Sequence, residues 1–246
     1  KFQFLLRIIN KNKINNLLMS GNILKFPYND VSVNNQQFRI ITDDINQNSC
    51  VISCVGSGKT TTLTAKISYM LYNKDCDPDE FFIATFTRNA SKDMKQKINN
   101  YIGISKIMCG TFHSLGMKAL NMYDYEFIDN NYSIDEIQYI FYDFLKSDKS
   151  IKFKERINYI FIDEFQDIND IQFNIIKELY KNCKSICVFG DDYQNIYKFR
   201  GSNIKYILNF KEYFDDIKVH NLVINYRCNK SIVELANKSI SNNINK

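Results

Sequence analysis

The sequence predicts an α/β domain built on a parallel sheet with helices on both faces. Short apolar runs of four or five residues recur at 50–53, 81–84, 159–162, 185–189 and 219–222, each bounded by polar or glycine punctuation, the length and setting of a buried strand. Longer stretches of helical periodicity separate these runs, at spacings that suit crossover helices between parallel strands. The composition, 45% hydrophobic and 24% charged over 246 residues, matches an ordinary globular domain, so a sizeable core can form and one large domain is expected.

Taken in order, residues 1–30 read as a polar lead-in rich in Asn and Lys, with one or two short helical patterns. Pro27, with Asn29 and Asp30, marks a turn, and the main domain is placed at 31–246. The first two apolar runs, 50–53 and 81–84, are the first two strands. From Thr111 to Ile157 the pattern is wholly helical. Ile134, Ile137, Ile140, Phe141, Phe144 and Leu145 stand at i, i+3, i+4 spacings, a stripe expected to face the core. A helical segment is therefore expected between these positions. The runs at 159–162, 185–189 and 219–222 complete the sheet.

Charge and cysteine content narrow the chemistry. Thirty-two Lys and Arg against 27 Asp and Glu give a net charge of +5, too mild to identify a partner. The seven cysteines form no CxxC pair, which argues against a disulfide framework or a zinc site and for reduced thiols in an intracellular protein, in cytoplasm or nucleus according to the host. Two histidines leave little for a histidine metal centre or a Ser/His/Asp triad. The apolar opening at 2–9 is broken by Arg7, too short for a membrane span and without a small-residue cleavage site. Lys1 in place of methionine, and the closing Asn-Asn-Ile-Asn-Lys, read as the ends of a fragment of something longer.

Two motifs carry chemistry. Ser53, Cys54, Val55, Gly56, Ser57, Gly58, Lys59, Thr60 and Thr61 follow a predicted strand and open a predicted helix, the setting of a phosphate-binding P-loop. Glycines at 56 and 58 allow backbone N–H groups to turn toward phosphate oxygens. Lys59 would neutralise the β- and γ-phosphates, and Thr60 would offer its hydroxyl to Mg²⁺. The first glycine of the consensus is here Ser53. A carboxylate partner for Mg²⁺ is supplied by Ile160-Phe161-Ile162-Asp163-Glu164-Phe165-Gln166-Asp167. Asp163 at the strand end would hold the metal, and Glu164 would position or deprotonate the attacking water. ATP and Mg²⁺ are the implied cofactors.

With these two motifs in place the chain resembles the UvrD/Rep-like superfamily 1 DNA helicases, in particular their N-terminal RecA-like ATP-binding domain, over roughly residues 33–240. Asp163-Glu164-Phe165-Gln166-Asp167 resembles motif II of that family, and residues 190–201, from Gly190-Asp191-Asp192 to Phe199-Arg200-Gly201, resemble motif III. Further similarities are residues 84–90 (motif Ia), 110–114 (motif Ib), Asn225-Tyr226-Arg227 (motif IV) and Val33-Asn34-Asn35-Gln36-Gln37 (Q motif). The resemblance implies a RecA-like P-loop NTPase fold, with Gln37 reading the adenine edge and Tyr226 stacking on it. It also implies that Gln194 senses the γ-phosphate and Arg227 stabilises charge on the transferring group.

The same resemblance implies a single-stranded DNA track of rings and small polar groups: Phe86, His113, Tyr197 and Phe199 as ring contacts, and Thr87, Arg88, Asn89, Thr111 and Arg200 as polar or basic contacts. Phe86 reads equally well as a core residue, and Phe112 reads as core. His113 and Asp163 lie only 50 positions apart, where relatives insert an additional helical subdomain, so the resemblance implies a reduced helical insertion at about 115–156. The implied function is the ATP-binding motor domain of an ATP-dependent 3′-to-5′ DNA helicase acting on single-stranded DNA and duplex junctions. The second RecA-like domain that such a motor requires would belong to the same full-length protein and is absent from this chain. A non-hydrolysing nucleotide- or DNA-binding regulatory module, or the motor part of a helicase-nuclease, are the alternatives.

Overall fold

A computed structural model describes residues 23–124, 127, 132–191, 193–194 and 201–241. Its centre is a six-stranded sheet formed by β3 (Asn48–Ser53), β4 (Phe81–Ala84), β5 (Cys109–Gly110), β6 (Tyr159–Ile162), β7 (Ser185–Gly190) and β8 (Ile217–Leu222). The strand order is β5-β4-β6-β7-β3-β8, and every pairing is parallel. Five of the strands are those expected from the apolar runs. β5 has two residues, too few to register as a run.

The inner strands β4, β6 and β7 read as apolar runs because both faces of the sheet are covered there. On β6, Tyr159 and Phe161 point into one core and Ile160 and Ile162 into the other; on β4, Phe81 and Ile83 oppose Phe82 and Ala84 in the same way. The first core is closed by α2 (Lys59–Asn73) and α3 (Arg88–Ile102), through Leu63, Ile67, Met70, Met94 and Ile98. The second is closed by α4 (Phe112–Tyr123), α5 (Ile134–Lys146), α6 (Ile151–Arg156) and α7 (Asp170–Tyr180), through Leu115, Leu120, Phe141, Phe144, Phe153 and Ile176. The segment expected as a reduced insertion thus supplies part of the layer that covers one face of the sheet. Ile134, expected on the core-facing stripe, is exposed on α5: as the first helical residue after the Ser133 cap, it sits at the rim.

Residue 30 lies inside an antiparallel hairpin of β1 (Ile23–Lys25) and β2 (Asp30–Ser32). Leu24, Phe26, Val31 and Val33 pack with Ile41 of α1 (Asn35–Thr42) and Ala65 of α2, so the packed unit reaches back at least to Ile23. The helical patterns expected before that point lie outside the described residues. Buried Lys66 on α2 donates from Nζ to the Ile40 carbonyl at 2.9 Å, satisfying an end-of-helix carbonyl of α1; burial lowers the pKa of its amine. The described residues close with α8 (Lys205–Leu208), α9 (Phe210–Tyr213), β8, and α10 (Lys230–Ser241).

Candidate functional site

The carboxyl ends of β3, β6 and β7 converge on one side of the sheet, and the loops that leave them build the site. After β3 the chain makes the P-loop turn. Gly56 and Gly58 hold φ of +70° and +78°, a left-handed region that L side chains avoid. A side chain would also crowd its neighbours at both. A Cβ on Gly58 would stand 2.6 Å from Nε2 of Gln37, and one on Gly56 would stand 2.7 Å from Cβ of Arg227. Helix α2 begins at Lys59, and its N-cap, Gly58, makes no side-chain cap hydrogen bond. The free N–H groups of its first turn are left for an external acceptor. Ser53, the departure from the consensus, is buried and donates from Oγ to the Gly190 carbonyl at 3.0 Å, tying the end of β3 to the end of β7.

A cavity of about 260 Å³ lies over this turn, lined by residues 54–61 together with Lys97, Glu164, Gln194 and Arg227. Lys59 forms an ion pair with Glu164. The structure therefore brings together the predicted P-loop residues Cys54, Val55, Gly56, Ser57, Gly58, Lys59, Thr60 and Thr61 with Glu164, Gln194 and Arg227. Lys97 of α3 is a third cation at this cavity, beside Lys59 and Arg227, and one that motif reading missed; nothing in the sequence around it signals proximity to the P-loop. Asp163 follows directly on β6 and is almost wholly buried. Burial and the adjacent Glu164 raise its pKa to about 6, against the opposing pull of Lys59. Glu164 itself adopts a left-handed backbone, φ +55°, a strained conformation for a residue other than glycine.

Behind the cavity a chain of hydrogen bonds links the loops after β6 and β7. Buried Gln166 donates from Nε2 to Glu164 Oε2 at 2.8 Å and accepts the Asp191 N–H at Oε1, 3.0 Å away. Asp191 in turn accepts from Nε2 of Gln194 and from the Tyr193 N–H at 3.0 Å. Gly190 lets Gln166 approach, since a Cβ there would lie 2.9 Å from Gln166 Oε1. Gln166 and Asp191 were visible in sequence as motif members, but not as the link between Glu164 and Gln194.

On the other side, Gln37 and Tyr226 flank the P-loop. Asn34 caps α1 reciprocally with Gln37: Asn34 Oδ1 accepts the Gln37 N–H at 2.8 Å and Gln37 Oε1 accepts the Asn34 N–H at 3.0 Å. Gln37 Nε2 also donates to the Ser57 carbonyl at 3.3 Å. The amide keeps one N–H and one lone pair beyond these bonds, and these are what remain for a base edge. Tyr226 is 59% exposed, and its hydroxyl accepts from Asn34 Nδ2 at 2.6 Å.

A second cavity, about 330 Å³, adjoins the first at Glu164. It is lined by Phe86 and Arg88 after β4, by Thr111 and His113 at the start of α4, and by Asp163 and Asp167 from the loop after β6, with α5 and the start of α7 closing it. Burial and neighbouring Glu164 raise the pKa of Asp167 to about 6. Thr87 caps α3 by accepting the Ala90 N–H at 3.1 Å, and Thr111 caps α4 by accepting the Ser114 N–H at 3.3 Å. Two helix N-termini thus open beside this cavity. Phe86 is half-buried, while Thr87, Arg88 and Asn89 are exposed. Phe112 is buried and packs on Phe82, ring centroids 6.3 Å apart; it is a core residue. Tyr197, Phe199 and Arg200 lie outside the described residues. No described helix is long and apolar enough to cross a membrane.

Comparison with known proteins follows the same lines. The chain is 26% identical over 298 residues to the putative ATP-dependent DNA helicase YjcD of Bacillus subtilis, covering 88% of this chain and 39% of that protein. It is 27% identical over 276 residues to the ATP-dependent DNA helicase Rep of Buchnera aphidicola, covering 79% and 43% respectively. The chain thus spans 39–43% of the length of these two relatives. The crystal structure of Pif1 helicase from Candida albicans aligns with a TM-score of 0.53 at 14% identity, over 85% of this chain and 44% of that one, a likeness of fold. The model of the UvrD/REP helicase N-terminal domain matches residues 33–138 and 125–215. The matched span takes in well over half of the chain, including the turn after β3 and the loops after β6 and β7, and the chain belongs to the UvrD/REP helicase N-terminal domain family.

Proposed function

We propose that this chain is the ATP-binding motor domain of an ATP-dependent DNA helicase. The observation that carries the reading is the convergence of Lys59, Glu164, Gln194 and Arg227 on one cavity above an uncapped helix N-terminus. A nucleotide triphosphate fits this donor set: backbone N–H groups and Lys59 for phosphate oxygens, and an exposed tyrosine ring with the remaining amide valences of Gln37 for the base. Thr60 and Asp163 offer the hard oxygen ligands that Mg²⁺ prefers. The ion, when bound, supplies positive charge to the phosphate oxygens. Glu164, held by Gln166 and Lys59 in the free protein, orients the attacking water or takes its proton once Lys59 turns to phosphate. Gln194 registers the γ-phosphate, and Arg227 stabilises charge on the transferring group.

Single-stranded DNA is the proposed partner. Phe86 and His113 provide rings at the second cavity, and Arg88, Thr87, Asn89 and Thr111 stand at or near two helix N-termini suited to phosphates. That Asp163 and Glu164 form part of the lining supports direct coupling between DNA contact and hydrolysis. Tyr197, Phe199 and Arg200 are proposed as further DNA contacts on the sequence resemblance alone. Translocation would run 3′ to 5′ toward duplex junctions, and a second RecA-like domain would supply the opposing wall of the ATP site, including another arginine, typically worth ~10³–10⁵ in turnover.

Steady-state ATPase assays with and without single-stranded DNA test this. In a protein carrying both domains, Glu164→Gln should retain nucleotide and lose ~10²-fold or more in turnover. The 246-residue chain alone should bind nucleotide with little DNA-stimulated turnover. Undiminished turnover in Glu164→Gln would move catalysis elsewhere, and a wild-type two-domain protein that binds but never hydrolyses ATP would make this a regulatory nucleotide-binding module.

A further inference from the structure

The turn that carries Arg227 is fastened to the P-loop by bonds that none of the roles above explains. Asn225 donates from Nδ2 to the Val55 carbonyl at 2.7 Å. Its Oδ1 accepts the N–H groups of both Arg227 and Cys228, each at 2.8 Å. Next to it, the Tyr226 N–H donates to the Gly56 carbonyl at 2.8 Å. The contact is close as well as polar. A Cβ on Gly56 would lie 2.7 Å from Arg227 Cβ and 3.0 Å from Asn225 Oδ1, so the glycine that shapes the phosphate turn is also the seat on which this turn rests. One amide thus does two separate things: its oxygen closes the turn at Arg227, and its nitrogen pins that turn to the P-loop.

From this geometry we propose that Asn225 is a positioning residue that holds Arg227 at the phosphate end of the nucleotide cavity, so that the P-loop and the arginine move as one body. The proposal rests on the phosphate-facing role given to Arg227 above. An arginine has several rotatable bonds, and a flexible loop would let it sample solvent. Clamping the backbone at its base removes the loop's share of the ordering cost before the ligand arrives, which is how preorganisation raises affinity. The consequence is selective. Arg227 is proposed to meet the terminal phosphate, so loosening its base should weaken binding of a triphosphate and leave a diphosphate nearly unaffected.

The two halves of the Asn225 amide can be separated by substitution. Asn225→Asp keeps the oxygen that accepts from Arg227 and Cys228 but cannot donate to Val55, and sets a carboxylate against that carbonyl. Asn225→Ser can still accept from the turn but is too short to reach Val55. The 246-residue chain is titrated with Mg-ADP and with a non-hydrolysable Mg-ATP analogue, and the ratio of the two dissociation constants is compared with that of Arg227→Ala and of the double variant Asn225→Asp/Arg227→Ala. Arg227→Ala should lower the triphosphate preference about ten-fold or more, as for a lost charge-assisted hydrogen bond. Asn225→Asp and Asn225→Ser should lower it in the same direction by about three- to ten-fold, with ADP affinity within about two-fold of wild type and unchanged melting. The double variant should lose no more preference than Arg227→Ala alone, because Asn225 acts through the arginine.

An unchanged ratio in both Asn225 variants, with a lowered ratio in Arg227→Ala, would overturn the proposal and leave the role of Arg227 standing. Equal weakening of both nucleotides would also overturn it, making Asn225 a structural residue of the P-loop. A ratio unchanged even in Arg227→Ala would reject the role on which the proposal depends, and the proposal with it.

Discussion

Asp163→Asn should make the metal-free protein more stable at neutral pH while destroying its catalytic competence. Asp163 is 5% exposed, and its pKa stands near 6 against an ordinary 3.8. A raised folded-state pKa means that the native state binds the proton more tightly than the unfolded chain. Stability is therefore highest below the unfolded value and falls as pH rises between about 4 and 6, reaching its full loss above that. The gap is worth at most about 3 kcal/mol at roughly 1.36 kcal/mol per unit. Asparagine is close in shape and can still accept the Glu164 N–H that Asp163 Oδ1 accepts at 3.1 Å. Its buried amide has a desolvation cost of its own, so the expected gain is about 1–3 kcal/mol at pH 7.5, or roughly 3–10 °C in Tm for a domain of this size. Thermal melts of both proteins in chelator at pH 7.5 and pH 4 measure it. The gain should vanish at pH 4. A variant that melts at or below wild type at pH 7.5, or a gain that is the same at both pH values, would refute the electrostatic reasoning.

Further predictions concern the phosphate turn and the DNA track. Gly58→Ala must accept a left-handed φ of +78° and a Cβ 2.6 Å from Gln37 Nε2; about 1–3 kcal/mol of stability should be lost in chemical denaturation, together with nucleotide binding by titration, whereas wild-type behaviour would show that the turn can relax. Arg88→Ala, as a single phosphate contact, should lower the slope of log K against log salt for single-stranded DNA by about 0.7; an unchanged slope would return Arg88 to the solvated surface.

Most of the scaffold was legible because a sheet buried on both faces writes itself as unbroken apolar runs, as at Phe81–Ala84 and Tyr159–Ile162. What escaped was short or long-range. β5 has two residues, and each strand of the β1–β2 hairpin has three with a single buried side chain, so neither produces a period. The P-loop and the Asp163-Glu164 pair could be proposed from sequence because their residues are contiguous there. The Ser53 departure became intelligible only with Gly190 across the sheet. Gln166, Asp191 and Asn225 could not be assigned, because each acts through hydrogen bonds to loops that folding alone brings near. Lys97 reaches the nucleotide cavity from the middle of α3, where a lysine reads as an ordinary solvated charge.

The central claim, that the loop at 53–61 is a nucleotide phosphate site, is tested most directly by titrating the purified chain and its Lys59→Ala variant with a fluorescent Mg-nucleotide. Removing the ammonium leaves phosphate charge facing only backbone dipoles. The account predicts saturable binding by the wild type and its loss, at least ten-fold in Kd, in a variant that still melts cooperatively. Equal affinity in a folded Lys59→Ala protein would contradict it.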